Sequence, residues 1–156
     1  MPKIQFVKGD ATLPEGEGNK IIAHICNDLG YWGAGFVLAL SERWKEPEKQ
    51  YRKWFREKGL LPLGEVQFVK AEEKLWIANL VAQHDILPHN NISPIRYEAL
   101  QKALKKVAVF AQEKKASVHM PKIGFGLAGG DWKKIEGIIK KELAGKGVSV
   151  TVYMKS

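Results

Sequence analysis

The sequence predicts an α/β fold: three α/β/α layers around a mixed, mostly six-stranded sheet. Three observations carry that expectation. Short apolar runs of strand length alternate with longer segments whose apolar residues recur every three or four positions. One pair of runs is close enough for a hairpin, while the others need crossovers. Two glycine-rich stretches each follow a strand-like run and precede a helix-like one. With 156 residues, 45% of them hydrophobic, the chain is expected to form one domain, residues 1–156, with a real core.

Taken in order, Ile4 to Lys8 alternates as a short strand that ends at Gly9-Asp10, and residues 11–19, with Pro14, Gly16 and Gly18, read as a loop. Lys20 to Cys26 is Ile-rich and reads as a buried strand. It empties into Asn27, Asp28, Gly30, Gly33 and Gly35, after which Phe36, Leu40 and Trp44 repeat at helical spacing. Pro47 opens a second helix whose apolar face is Tyr51, Trp54 and Phe55, and Gly59 ends it. Glu65 to Lys70 and Leu75 to Ala82 flank the charged turn Ala71-Glu72-Glu73-Lys74, so they form a hairpin, the more apolar second strand lying deeper in the sheet.

Gln83 to Ser93 is a polar loop of a length that is usually functional or mobile. Ser93-Pro94 is read as the cap and first turn of a long helix with Tyr97, Leu100, Leu104, Val107, Ala108 and Ala111 on one face. Ser117 to Met120 is a strand running into the second glycine-rich stretch, Pro121 to Gly130. Asp131 caps a helix that buries Trp132, Ile135, Ile138, Ile139 and Leu143, and Val148 to Tyr153 closes the sheet.

Glycines at a strand-to-helix turn let backbone N–H groups approach a ligand, and the start of a helix adds unpaired donors and about half a positive charge. That is an anion cradle. The Walker loop is excluded because no Gly-Lys-Ser/Thr follows, and the spacing of Gly30, Gly33 and Gly35 differs from the dinucleotide GxGxxG. Two cradles on one edge suit a diphosphate. The net charge of +8 also favours acidic partners, although most lysines fall on the solvent faces of the expected helices.

A single cysteine excludes an intramolecular disulfide, and Cys26, in an apolar strand, is read as a core residue. The N-terminus lacks a signal-like apolar core and no apolar run approaches the roughly 20 residues that span a bilayer, so the expected location is cytoplasmic, away from membranes. His24, His84, His89 and His119 form no HxH or HxxxH pair, and neither a metal site nor a cofactor is expected.

The segments GDAT, HICNDLGYWGAGFVLALSERW, MPKIGFGLAGGDW and the closing TVY strand together resemble the macrodomain family, in the branch near the terminal ADP-ribose glycohydrolase and its bacterial relatives. The likeness covers essentially the whole chain. It implies an ADP-ribose pocket in which Asp10 accepts a hydrogen bond from the adenine amino group. Gly33, Ala34, Gly35 and Phe36 would wrap one side of the diphosphate, and Gly124, Phe125, Gly126 and Leu127 the other. Ala11, Trp32 and Ile123 are counted among the same ligand-binding residues, and Asn27 would face the distal ribose.

In the resembled glycohydrolase a lysine after the fourth strand attacks the sugar, and an aspartate follows the second Gly-x-Gly-Leu. This chain has Val81-Ala82-Gln83-His84 at the first place and Ala128 at the second, so the lysine-adduct route is not expected to transfer. The catalytic candidates are then His84 as a base, Asn27 as an orienter of water, and Asp131, whose first explanation is the helix cap. The expected function is to bind ADP-ribose, free or attached to a macromolecule, and to hydrolyse ADP-ribosyl linkages. The alternatives are a phosphatase acting on ADP-ribose 1″-phosphate and a reader without turnover. Nucleic acid is expected as a partner only if ADP-ribosylated, because the tryptophans other than Trp32 fit core faces rather than an exposed stacking platform.

Overall fold

The computed structural model describes residues 4–86, 94–124 and 130–155. The strands are β1 (Ile4–Lys8), β2 (Lys20–Asn27), β3 (Val66–Glu72), β4 (Leu75–Gln83), β5 (Ser117–Pro121) and β6 (Val150–Met154). The helices are α1 (Phe36–Arg43), α2 (Glu46–Lys58), α3 (Tyr97–Lys114) and α4 (Trp132–Glu142), and a 3-10 turn covers Ala144–Lys146. The strands form one sheet in the order β1-β6-β5-β2-β4-β3. All neighbours are parallel except the β3–β4 hairpin, so the sheet is mixed as expected.

The layers follow from side-chain alternation along β2 and β4. Ile21, Ala23, Ala78, Leu80 and Ala82 face one way and meet Leu100, Leu104, Val107, Ile135 and Ile139 of α3 and α4. Ile22, Cys26, Ile77 and Val81 face the other way and meet Val37, Leu40 and Tyr51 of α1 and α2. Burying side chains such as Ile21, Leu40 or Leu104 completely contributes about 1.5–3 kcal/mol each before chain entropy is charged against it.

Two local outcomes differ from the sequence expectation. Ser93 lies outside the described residues, and Pro94 does not open α3, which begins at Tyr97 with Arg96 as its N-cap. The reason is a competing pairing. The Pro94 carbonyl accepts from His84 N–H, Arg96 N–H donates to the Ala82 carbonyl, and Ile95 bridges Gln83 antiparallel, so this stretch extends the end of β4 before the helix can start. The hairpin turn also shortens to Glu73-Lys74, because Ala71 and Glu72 stay in β3 through a register shift.

Candidate functional site

Because β1, β6, β5, β2 and β4 are parallel, their carboxyl ends share one edge of the sheet. That edge therefore gathers Asp10 after β1, Asp28 after β2, His84 after β4, Gly124 after β5 and Lys155 after β6. A cleft of about 580 Å³ opens there, lined by Gly9, Asp10 and Ala11, by Gly35, Phe36, Ala39 and Glu42 of the α1 side, and by Pro121, Lys122, Tyr153, Met154 and Lys155. The volume lies in the usual range for a small-ligand pocket. A larger groove of about 740 Å³ runs beside the first turn of α3 past Leu63, Ile95 and Lys134. Its lining includes none of the strand-end carboxylates or exposed glycines, so the smaller cleft is the candidate site.

At one end of the cleft Asp10 sits in a tight turn. Its Oδ1 accepts from Thr12 N–H at 2.9 Å and from the Thr12 hydroxyl at 2.7 Å. These bonds, with smaller help from Arg43 and Lys155, hold the carboxyl below its usual range against the opposing effect of burial. Tyr153 lines the same cleft and ties down the 11–19 loop: its hydroxyl accepts from Glu15 N–H at 2.8 Å and is 2.7 Å from His119 Nδ1, while His119 Nε2 is 2.8 Å from Ser117 Oγ.

The middle of the edge is built from α1 and its approach. Gly33, Ala34 and Gly35 are exposed, Gly35 is the N-cap at φ 83°, and no side chain among the described residues caps the helix or places an acid in its first turn. The start of α1, where Gly35 and Phe36 line the cleft, is the positive end of a dipole worth about half a charge. Gly30 serves a different purpose, since a Cβ at that position would lie 2.4 Å from Phe55 Cγ. The second glycine stretch is closed at its base by Gly130 N–H donating to the Gly124 carbonyl at 2.7 Å. A Cβ on Gly124 would meet Ile135 Cδ1 at 2.6 Å, so this glycine lets the loop base pack on α4. Phe125, Gly126 and Leu127 lie outside the described residues.

At the far end, His84 and Asp28 form a pair that the sequence reading did not assemble. His84 Nδ1 is 2.7 Å from Asp28 Oδ2, and Asp28 Oδ1 accepts from Asp85 N–H at 2.9 Å. Asp28 is 1% exposed, while the His84 side chain is 43% exposed. The signal available in the sequence was an acid directly after one apolar strand and a histidine directly after another.

Other expected site residues take supporting places. Asn27 Oδ1 accepts from Leu29 N–H at 2.9 Å, Tyr31 N–H at 3.0 Å and the Tyr51 hydroxyl at 3.0 Å, and its Nδ2 donates to the Tyr31 carbonyl. With its carbonyl saturated, this side chain holds the 27–31 turn rather than offering an acceptor to water. Trp32 was expected to face ligand, but its ring is 2% exposed, packed against His24 and Tyr51, with Nε1 donating to Ser41 Oγ. It carries the loop from beneath. Ile123 is likewise buried, in the α3/α4-side core. Asp131 accepts from Lys133 N–H at 3.0 Å as the α4 cap, worth about 1 kcal/mol. Cys26 is buried and desolvation drives its thiol pKa far up, so it is inert. Among the described residues no group of three His, Cys, Asp or Glu side chains could hold a metal ion.

No protein-family model matches the chain. Among solved structures, a macrodomain protein from Streptomyces coelicolor is 49% identical, with a TM-score of 0.85 over 97% of this chain and 98% of that one. Chromodomain-helicase-DNA-binding protein 1-like from Danio rerio is 38% identical over 96% of this chain, which spans only 15% of that relative's length. An ADP-ribose 1″-phosphate phosphatase from Lodderomyces elongisporus is 27% identical over 88% of this chain and 91% of its own.

Proposed function

The chain belongs to the macrodomain family, and from that premise we propose that it binds ADP-ribose along the carboxyl edge of its sheet and hydrolyses the bond at the distal ribose. The observation that carries this reading is the separation along the sheet edge of Asp10, which follows β1, and His84, which follows β4 and is paired with Asp28. From β1 to β4 the sheet order counts four strand spacings of about 4.8 Å, or about 19 Å, which matches an extended nucleoside-diphosphate sugar. Adenine would lie at Asp10, the diphosphate at the start of α1 opposite the Gly124 loop, and the distal ribose toward Asp28 and His84.

In this reading Asp28 orients the His84 ring through Nδ1, and the imidazole so held handles protons in the reaction. A water oxygen bonds to the anomeric carbon as the bond to the carrier breaks. His84 takes the water's proton, and the carrier leaves with the electron pair; a carboxylate carrier needs no proton. Asn27 and Asp131 act through the shape of the site, as turn lock and helix cap. The macromolecule that bears the ADP-ribose belongs to the proposal as well.

A second reading, phosphatase action on ADP-ribose 1″-phosphate, has the support of the Lodderomyces relative, whose name states that activity. One experiment separates the readings: incubate the protein with ADP-ribosylated protein and with ADP-ribose 1″-phosphate, then assay free ADP-ribose and inorganic phosphate. ADP-ribose from the first substrate supports the hydrolase. Phosphate from the second alone supports the phosphatase, and binding without either product leaves a reader.

A further inference from the structure

The sheet ends at β3, and the two faces of that edge strand are covered differently. On one face α2 closes over it, with Gln67 Nε2 donating to the Gln50 carbonyl at 3.0 Å. On the other, α3 covers it only in part: Val66, Phe68, Trp76 and Phe110 pack on the α3-side core yet stay half-buried. A trough of about 500 Å³ is left there between Phe68 and the outer face of α3. Its floor is apolar, with the Phe68 and Phe110 rings stacked at 3.9 Å and Val109 56% exposed. Its rim is basic, since Lys102, Lys105 and Lys106 line it against Glu113. Two of these lysines are held in place. Lys106 Nζ is 2.7 Å from Glu65 Oε2, and the Lys102 stem lies across Gly64, where a Cβ would come within 2.6 Å of Lys102 Cδ.

We propose that this trough is a docking site for an acidic amphipathic helix of a partner protein. The wall it offers has helical spacing: Lys102, Lys105, Lys106, Val109, Phe110 and Glu113 follow one another at steps that keep them on one stripe of α3, into which the side-chain ridges of a second helix fit. That stripe is about 17 Å long, enough for about 12 residues of helix. Its apolar centre suits aliphatic side chains, and the cations at one end suit carboxylates beside them. A second copy of this chain does not fit, because a two-fold contact would set the same lysines against each other on a molecule of net charge +8. A nucleic-acid strand fits less well. The Phe110 and Trp76 rings on which bases would stack are engaged by Phe68 and by the ammonium groups of Lys70 and Lys114. Among the described residues the trough and the carboxyl-edge cleft share no lining side chain, so a partner can dock here whatever occupies the cleft.

The test is a selection of random 16-residue displayed peptides on the wild type, followed by fluorescence anisotropy of the recovered peptides. Val109→Glu, the pair Lys102→Glu/Lys105→Glu, and the pair Lys133→Glu/Lys141→Glu on α4 are titrated beside it, with urea midpoints to establish that each is folded. The recovered peptides should be acidic, with apolar residues every three or four positions. Val109→Glu and the Lys102/Lys105 pair should each weaken them about tenfold or more, and the α4 pair by no more than about twofold. Recovery of no peptide, or of peptides without acidic residues, overturns the proposal. So does binding that survives Val109→Glu, or an equal loss with the α4 pair, which would show attraction by overall charge alone. A 16-nucleotide oligothymidylate, or phosphatidylserine vesicles, bound more tightly than the peptides and with the same dependence on Val109, would also overturn it by giving the trough to nucleic acid or to a membrane.

Discussion

His84 Nδ1 lies 2.7 Å from Oδ2 of Asp28, joining a half-exposed imidazole to a buried carboxylate at the ends of two adjacent parallel strands. The carboxylate has no room to serve solvent, and its other oxygen is taken by Asp85 N–H. Its geometry orients the ring.

That relationship gives the first prediction. Asp28→Asn keeps an oxygen for Asp85 N–H but turns an amide N–H toward His84 Nδ1, which forces the opposite tautomer. Turnover of an ADP-ribosylated substrate should fall about 100-fold or more, with ADP-ribose affinity within about twofold of the parent. Single-turnover kinetics beside calorimetry check it. A parental rate would remove His84 and Asp28 from the chemistry.

The glycines of the first cradle should separate by purpose. Gly30→Ala pushes a Cβ into Phe55 at a φ of +73° and is expected to destabilise the fold by about 2–3 kcal/mol. Gly33→Ala meets nothing nearer than Tyr31 at 3.8 Å and should leave stability within about 0.5 kcal/mol while weakening ADP-ribose binding. Urea midpoints and calorimetry on both variants measure the contrast. Equal losses of stability would show that Gly33 is needed for folding as well.

Much of this architecture was legible because it is governed by local rules. The strand at β1, the Pro47 start and Gly59 end of α2, the hairpin and the Asp131 cap all follow from neighbouring residues, although burial along β1 does not alternate, Gln5 and Phe6 both being exposed. What escaped depended on partners distant in sequence. Pro94 was claimed by the end of β4, and Trp32, placed in a loop by its glycine neighbours, is drawn into the core by His24 and Tyr51. Asn27 was read for its proximity to ribose, whereas the carbonyl it offers is filled by its own turn and by Tyr51 of α2. Asp28 and His84 are 56 positions apart and meet only because β2 and β4 are neighbours.

Stability should also depend on pH through two buried histidines. Desolvation lowers His24 and His119 to about 4 from the ordinary 6.5, with the Asn79 hydrogen bond opposing the shift at His24. Between those values the unfolded chain binds protons that the native state refuses. Stability is therefore full above about pH 6.5 and lost as pH falls toward 4, by at most about 1.4 kcal/mol per unit for each histidine. Urea midpoints at pH 7.5, 6 and 5 should decline in that order, and His119→Gln should flatten the decline. Midpoints that hold steady from pH 7.5 to 5 would show that these imidazoles are protonated in the native state.

The most direct measurement of the central claim is a calorimetric titration of the protein with ADP-ribose, run beside ADP and AMP at one salt concentration. Micromolar binding of ADP-ribose, clearly tighter than AMP, is expected, with a weaker isotherm for Asp10→Ala. ADP-ribose that gives no heat, or binds no better than AMP, would contradict it: the fold would then have kept its edge of glycines and carboxylates for a different ligand.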